Sequence, residues 1–162
     1  MSDSAPDIRE IIPGLANASC PLEGVATAGQ PTEEEIGRLA AAGYRTVLDL
    51  RAPDEPRGYE EEKAVRDAGM EYINLPVTPQ TLDDASFDRF RELLRDPARR
   101  PIVVHCGSAN RVGALLFPYL TLDEGRDPDE AFQMALDVGL RSQALADLAS
   151  AYIQRIRGDD ED

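Results

Sequence analysis

Short apolar segments of strand length alternate with segments of helical periodicity along most of this 162-residue chain. Residues 46–50, 71–75 and 101–105 have the length and composition of buried strands, and a helical pattern separates each from the next. Strands joined by helices run in the same direction, which favours a parallel sheet covered on both faces. We therefore predict an α/β fold with a central, mostly parallel sheet of four to five strands flanked by helices on both faces. Segments 8–12 and 25–27 are expected to add edge strands.

Local sequence signals indicate where several helices begin. Thr32 and Glu35 have the spacing of a capping box, in which the two residues exchange side-chain and backbone hydrogen bonds. Thr81 and Asp84 have the same spacing and predict a second box. The three glutamates at 60–62 are typical of a solvated helix face.

The chain is expected to form one domain over residues 8–157, with loose termini at 1–7 and 158–162. Its first residues lack the apolar stretch of a signal peptide, and no segment reaches the ~18 apolar residues of a membrane span. Two cysteines cannot form a disulfide framework, so we expect free thiols and a cytoplasmic location. The formal net charge of −14 opposes binding to nucleic acid or to an anionic membrane.

The segment from His105 to Arg111 has the strongest functional signal. It joins an apolar strand to an apolar helix, a junction where parallel sheets commonly bind ligands. Small residues let backbone N–H groups turn inward around an anion, and Arg111 can add two parallel donors. Such a field favours the thiolate of Cys106, which is then a nucleophile beside the bound anion. The residues predicted to bind phosphate are Gly107, Ser108, Ala109, Asn110 and Arg111.

Three motifs resemble those of bacterial cysteine-dependent phosphatases of the beta-lactamase-hydrolase-like and dual-specificity type, within the tyrosine phosphatase superfamily. The first is the loop and the helix start behind it, residues 105–115 (HCGSANRVGAL). The second, residues 27–31 (TAGQP), resembles the family's Gly-Gln-Pro turn after its first strand. The third, residues 44–51 (YRTVLDLR), is similar to its second strand. The three motifs occur in the family's order.

The resemblance implies a phosphatase that acts through a phosphocysteine intermediate. Its substrate would be a phosphorylated protein or small molecule, with phosphotyrosine and phosphoserine both open. Cys106 would attack phosphorus, Arg111 would hold the equatorial oxygens, and Asp83 would be the general acid. His105 and Gln30 would support the loop. The resemblance implies no metal and no cofactor.

Departures from the family pattern keep two other functions open. Ala109 stands where the family loop usually has glycine, so a positive φ there would cost energy. Val112 replaces a hydroxyl residue that many phosphatases have after the arginine, which puts assistance at the second step in doubt. The four residues between Cys106 and Arg111 are also the spacing of rhodanese sulfurtransferases. The alternatives are therefore a rhodanese-like sulfurtransferase and a catalytically inactive phosphate-binding pseudophosphatase.

Arginine supplies almost all of the positive charge, since Lys63 is the single lysine. By count alone, Arg51, Arg57, Arg99 and Arg100 are candidates for the mouth of the site.

Overall fold

The computed structural model of the chain, which describes residues 7–161, contains a five-stranded sheet. Three of its four strand pairs are parallel and the first hairpin is antiparallel. The predicted α/β class and the mostly parallel sheet are therefore confirmed. The strands are β1 (Ser19–Leu22), β2 (Val25–Ala28), β3 (Thr46–Asp49), β4 (Glu71–Asn74) and β5 (Ile102–His105), in the spatial order β1-β2-β5-β3-β4.

Helices cover both faces of the sheet, as predicted. The first three pack on one face around Val47 and Val103, and the last four pack on the other around Leu48 and Val104. Within residues 7–161, none of them is both long and apolar enough to cross a membrane. The helices are α1 (Ile8–Ile11), α2 (Glu33–Ala41), α3 (Glu61–Asp67), α4 (Asp84–Arg95), α5 (Asn110–Leu122), α6 (Pro128–Val138) and α7 (Gln143–Glu161).

Neighbouring residues of a strand point to opposite faces of the sheet. This alternation decides to which face the polar residues at the ends of β3 and β5 point. In β5, Ile102 and Val104 belong to the core beneath α4–α7, whereas Val103 belongs to the opposite core. His105 therefore points to the face covered by α1–α3, because neighbouring strand residues point to opposite faces. The same alternation in β3 sends Asp49 to that face. Asp49 and His105 are direct partners in the parallel β3–β5 pair.

The amino-terminal segment corrects the prediction of an edge strand over 8–12. Residues 8–11 form α1 instead and Ile12 follows as its C-cap; the Asp7 side chain caps the start of the helix by accepting from the Arg9 N–H at 2.9 Å. The edge strand at this side of the sheet is β1, which the sequence did not reveal because Pro21 interrupts its pattern. Proline is tolerated there since an edge strand has an unpaired side. Strand β2, expected at an edge, lies between β1 and β5.

The carboxyl-terminal tail is also more regular than expected. Helix α7 continues through Glu161, so the tail predicted to be loose from residue 158 is helical as far as the structure describes it. Gly158 lowers helix propensity by about 1 kcal/mol, which does not end a helix whose earlier turns are packed. Residues 1–6 and Asp162 lie outside the described residues.

Helix α4 is capped by Asp83 and not by the predicted box at Thr81. Asp83 Oδ1 accepts from the backbone N–H and the hydroxyl of Ser86, both at 3.0 Å. Thr81 instead exchanges hydrogen bonds with Thr78 in the preceding turn. Aspartate caps a helix at least as well as threonine, so Asp83 can take the role predicted for Thr81. The capping box predicted at the start of α2 is present.

Helices α5 and α6 approach each other closely at Gly113. A Cβ atom at this position would lie 2.8 Å from the Ala135 carbonyl oxygen and 2.9 Å from Leu140 Cβ. Because of this close approach, the connection between α6 and α7 packs against the first turn of α5. There the Arg141 N–H donates to Asn110 Oδ1 at 2.8 Å.

We expect Gly113→Ala to lower the free energy of unfolding by about 1–3 kcal/mol, because the added methyl group overpacks the α5–α6 contact. Urea denaturation followed by circular dichroism measures the change. Gly37→Ala in α2 is the matched control, since a Cβ there meets nothing within 4 Å. The control should gain about 0.5–1 kcal/mol of stability. Equal effects of the two substitutions would contradict the close approach at Gly113.

Candidate active site

The loop from Cys106 to Ala109 connects β5 to α5. Cys106 is only 1% exposed, whereas Gly107 and Ser108 are exposed. Helix α5 begins at Asn110, so the free N–H groups of its first turn lie beside the loop. The thiol therefore lies beneath a solvent-exposed backbone segment at the amino end of a helix.

Two backbone carbonyl groups of this loop are contacted by residues outside the loop. His105 Nδ1 contacts the Cys106 carbonyl oxygen at 3.4 Å, and the Gln30 N–H donates to the Gly107 carbonyl oxygen at 3.3 Å. The carbonyl and the N–H of a trans peptide point in opposite directions. The N–H groups of Gly107 and Ser108 therefore point away from these partners. Together with the first turn of α5 they are available to bind an anion.

The turn after β2 packs against this loop because Gly29 lacks a side chain. A Cβ atom there would lie 2.8 Å from the Gly107 carbonyl oxygen and 3.2 Å from Asn17 Nδ2. The Gly-Gln motif of the sequence thus lies directly on the predicted anion-binding loop.

Ala109 has a φ of 67°, in the left-handed region that favours glycine. The cost expected at this position is therefore present, and a non-glycine residue in that region loses about 1–2 kcal/mol. Gly139 packs against Ala109, and a Cβ on Gly139 would lie 2.9 Å from Ala109 Cβ. The backbone of Gly139, whose own φ is 148°, leaves room for the alanine methyl group.

Arg111 forms a two-pronged ion pair with Glu55. Its Nη1 and Nη2 each donate to one Glu55 carboxylate oxygen at 2.9 Å, and Nη1 also donates to the Val77 carbonyl oxygen at 3.1 Å. The hydrogen bond to Glu55 is the main cause that raises the pKa of Arg111; the charge of Cys106 adds to it and burial opposes it. The same hydrogen bond lowers the pKa of Glu55 to about 2, again against burial.

The N–H groups of Arg111 that Glu55 and Val77 do not use lie together along a second edge of the guanidinium group. A guanidinium group has five N–H donors, of which Glu55 and Val77 take three. The two left over are the Nε–H and one Nη2–H, which lie side by side and match two oxygens of a phosphate. Nη2 lies beside the loop, since a Cβ on Gly107 would be 3.7 Å from it. Glu55 thus fixes the guanidinium while leaving the edge that can bind an oxyanion.

A continuous chain of polar contacts links Arg111 to His105 behind the loop. Arg51 Nε donates to Glu55 Oε1 at 3.1 Å, and Arg51 Nη1 donates to Gln30 Oε1 at 3.0 Å. Gln30 Nε2 then donates to Glu61 Oε1 at 2.7 Å. The other oxygen of Glu61 is hydrogen-bonded to His105 Nε2. The two predicted support residues, His105 and Gln30, are therefore members of one network.

Asp49 and Arg57 form the buried side of the same network. Arg57 Nη2 lies 2.8 Å from Asp49 Oδ2, and Arg57 Nε lies 3.6 Å from Glu61 Oε1. Tyr72 donates its hydroxyl hydrogen to Asp49 Oδ2 at 2.7 Å. Arg57 is thus committed to buried carboxylates and is not a free cation at the mouth of the site.

Asp49, Glu61 and His105 offer ligand atoms within 4.8 Å of one another, which is close enough for a metal ion. Glu61 is already hydrogen-bonded to His105, and Asp49 and Glu61 both pair with Arg57, whose guanidinium supplies a positive charge beside them. The donor set therefore does not require a metal, and the absence of one stays a prediction.

Three predicted residues have other surroundings than expected. The carboxylate of Asp83 caps α4, and its hydrogen bonds to Ser86 lower its pKa, which opposes the protonated form that a general acid needs. Arg99 and Arg100 precede β5, so they lie at its amino end, opposite the loop. Arg100 there bonds to the Leu94 carbonyl oxygen and to the Tyr119 hydroxyl. These arginines cannot line the mouth of the site.

Two carboxylates of the site, Glu61 and Glu55, were not predicted from the sequence. Of the solvated face predicted for residues 60–62, Glu60 and Glu62 are exposed, whereas Glu61 is only 3% exposed and corrects the prediction at that position. A signal was available, because Glu61 is four residues before buried Val65 on the same face of α3. Glu55 lies in an irregular segment after β3, where no periodicity marks a residue as part of a site.

Residues 23–151 match the family model described as "DSP-PTPase phosphatase fused to NAD+ Kinase". The chain belongs to this family. Its membership confirms the resemblance to cysteine-dependent phosphatases and agrees with a cysteine loop at the carboxyl end of a buried strand.

Individual relatives agree with the family. A beta-lactamase hydrolase-like protein of Xylella fastidiosa is 30% identical over 108 residues, which is 64% of this chain and 25% of that protein. The chain thus spans about a quarter of the length of that curated relative. A crystal structure of a putative phosphatase (DUF442) from Shewanella putrefaciens has a TM-score of 0.75 and 23% identity, covering 91% of this chain and 97% of its own. TpbA of P. aeruginosa, crystallised in complex with pTyr, has a TM-score of 0.63 and 20% identity, covering 88% and 90%.

The capping role of Asp83 can be separated from a role as general acid. We expect Asp83→Ala to lower the free energy of unfolding by about 1 kcal/mol and Asp83→Asn to retain most of it, because asparagine caps as well as aspartate. Thermal denaturation measures both. A selective loss of activity in Asp83→Asn toward an alkyl phosphate, with p-nitrophenyl phosphate spared, would show instead that Asp83 protonates the leaving oxygen.

Proposed function

We propose that the chain is a phosphatase that hydrolyses phosphate monoesters through a phosphocysteine intermediate. The observation that carries the proposal is the edge of Arg111 that Glu55 and Val77 leave unoccupied, beside a cysteine loop at the amino end of α5. Backbone N–H groups, the helix end and the arginine supply donors around one position next to Cys106. Membership of a cysteine-dependent phosphatase family supports this function over sulfur transfer.

In the proposed reaction, the Cys106 thiolate attacks phosphorus in line with the ester oxygen. The S–P bond forms as the P–O bond breaks, and the bonding electron pair leaves with the ester oxygen. Water then attacks phosphorus, the S–P electron pair returns to sulfur, and inorganic phosphate is released. Arg111 and the loop N–H groups bind the non-bridging oxygens in both steps, where negative charge has to be held.

Aryl phosphates, phosphotyrosine among them, are the substrates that this site favours. A phenolate with a pKa of about 10 leaves more readily than an alkoxide, so it depends less on a general acid. Asp83, the carboxylate predicted for that role, is committed to the cap of α4. The phosphotyrosine complex of a structural relative is consistent with the same choice of substrate.

Substitution of the nucleophile tests the proposed reaction. We expect Cys106→Ser to lower kcat for p-nitrophenyl phosphate by on the order of 10⁴-fold or more, because the hydroxyl group is a far weaker nucleophile here. Cys20→Ser is the matched control, since Cys20 lies on edge strand β1 and should leave the rate unchanged. Phosphate bound to the wild-type chain without turnover would favour the pseudophosphatase. A persulfide on Cys106 after thiosulfate treatment would favour the sulfurtransferase.

Chemical labelling tests the nucleophile without any substrate. We expect iodoacetamide to alkylate Cys106 in the wild-type chain, because the loop above the thiol is exposed to solvent. Phosphate or vanadate should block the reaction, since the anion would occupy the loop. Mass spectrometry reads the label at each cysteine, and Cys20 serves as the internal reference. Labelling of Cys106 that phosphate and vanadate leave unchanged would contradict an anion site beside the thiol.

A further inference from the structure

The connection between α6 and α7 lies beside the cysteine loop and is fixed there at two points. Asn110, the first residue of α5, accepts through its Oδ1 from the backbone N–H groups of Arg141 and Ser142, at 2.8 and 3.2 Å. Gly139 packs on the loop, where a Cβ atom on this glycine would lie 3.0 Å from the Ala109 carbonyl oxygen. The backbone of the connection therefore has a defined position next to the predicted anion site.

Arg141 is exposed, and its side chain turns back along this connection. Its Nη1 donates to the Gly139 carbonyl oxygen at 3.2 Å. This contact and the packing of Gly139 on Ala109 place the guanidinium at most about 10 Å from the Ala109 carbonyl oxygen. A substrate whose phosphate group occupies the loop can therefore reach Arg141 with a neighbouring group.

Arg141 differs from the other arginines at this edge of the sheet because it has no carboxylate partner. Arg51, Arg57 and Arg111 each pair with an aspartate or a glutamate. Among the side chains that the structure describes, no carboxylate lies within 4 Å of the Arg141 guanidinium. Its contact with Gly139 uses one of the five guanidinium N–H donors, which leaves four for a ligand.

We propose that Arg141 is a specificity residue that binds a second anionic group of the substrate while the phosphate group occupies the cysteine loop. A carboxylate suits this position, because guanidinium and carboxylate groups form paired hydrogen bonds. The preferred substrates are therefore phosphotyrosine peptides with an aspartate or a glutamate near the phosphorylated residue. The proposal rests on the proposed phosphatase function and names a substrate class for the same site.

The net charge of the chain gives this proposal a clear sign. A protein with a net charge of −14 repels an acidic peptide at long range. Salt screens such repulsion beyond about 8–10 Å, so the charges nearest to the bound peptide determine its local preference. With Arg141 an acidic residue beside phosphotyrosine is favourable, and without Arg141 it is neutral or unfavourable.

Steady-state kinetics with matched peptides tests the preference. One series of phosphotyrosine peptides has a single aspartate at successive positions on either side of the phosphotyrosine, and the matched series has asparagine at the same positions. At one position or more, we expect kcat/KM of the wild-type protein to be about threefold higher for aspartate, the size expected of an exposed ion pair. An increase in NaCl from ~50 to ~500 mM should remove the difference, because salt screens the pair. A series without any such position would overturn the proposal.

Substitution of Arg141 tests whether the preference depends on this residue. In Arg141→Gln the ratio of the two kcat/KM values should fall to one or below, whereas Arg141→Lys should retain part of the preference because it keeps the charge. Arg45→Gln is the matched control, since it removes an exposed arginine at the amino end of β3, the opposite edge of the sheet. A preference that survives in Arg141→Gln, or that Arg45→Gln lowers equally, would overturn the role of Arg141.

A binding measurement separates this proposal from the phosphatase function. In Cys106→Ser, the fluorescence anisotropy of labelled peptides measures affinity without turnover. Tighter binding of the aspartate peptide, in a protein whose wild-type form hydrolyses no phosphate ester, would support the role of Arg141 and contradict the phosphatase function. Hydrolysis that depends on Cys106, with equal kcat/KM for the two peptides at every position, would do the reverse.

Discussion

Two carboxylates hold the ends of the cysteine loop, and the geometry of the site depends on them. Glu61 binds the side chain just before Cys106, and Glu55 binds Arg111 at the far end. Because Gln30 and Arg51 connect the two carboxylates, displacement of one would disturb the other. An acidic protein thus builds an anion site by using some of its carboxylates to fix a few cations. The net charge of −14 is a sum over the whole chain. The electrostatic potential at the loop depends mainly on the charges within a few ångströms of it.

The conformation of the loop is energetically unfavourable for the backbone at Ala109. Ala109 adopts a left-handed conformation that costs about 1–2 kcal/mol, and the surrounding structure has to overdetermine it. Gly139 and Gly113 contribute to this constraint through close approaches that leave no room for a Cβ atom. The connection between α6 and α7 is thereby pressed against the start of α5, where Asn110 binds its backbone. Such packing explains how an alanine can occupy a position at which the family usually has glycine.

Much of the fold could be predicted because helices and strands have characteristic patterns of apolar and capping residues in the sequence. The apolar segment 101–105 is β5 within a residue, and the capping box of α2 is present as predicted. Edge strand β1 escaped prediction because Pro21 suppresses the alternation on which strand prediction depends. Glu61 could have been found from its spacing to Val65, but its charge made a solvated face the simpler interpretation. Glu55 could not, because its position is defined by tertiary contacts with Arg111 and Arg51 and by no periodic pattern.

The three motifs that are far apart in the sequence meet because of the strand order. Strand β5 lies between β2 and β3, and all three run parallel, so their carboxyl ends lie at one edge of the sheet. Gln30 follows β2, Arg51 follows β3 and Cys106 follows β5, each within two residues of the strand end. Chain connections depart from the central strand toward both sides at this point, which is where open α/β sheets bind ligands. The polar network behind the loop is therefore a consequence of topology: Gln30 and Arg51, which follow β2 and β3, lie close to the residues that flank the nucleophile. The amide of Gln30 after β2 and the guanidinium of Arg51 after β3 connect the two carboxylates, Glu61 and Glu55, in one hydrogen-bonded network.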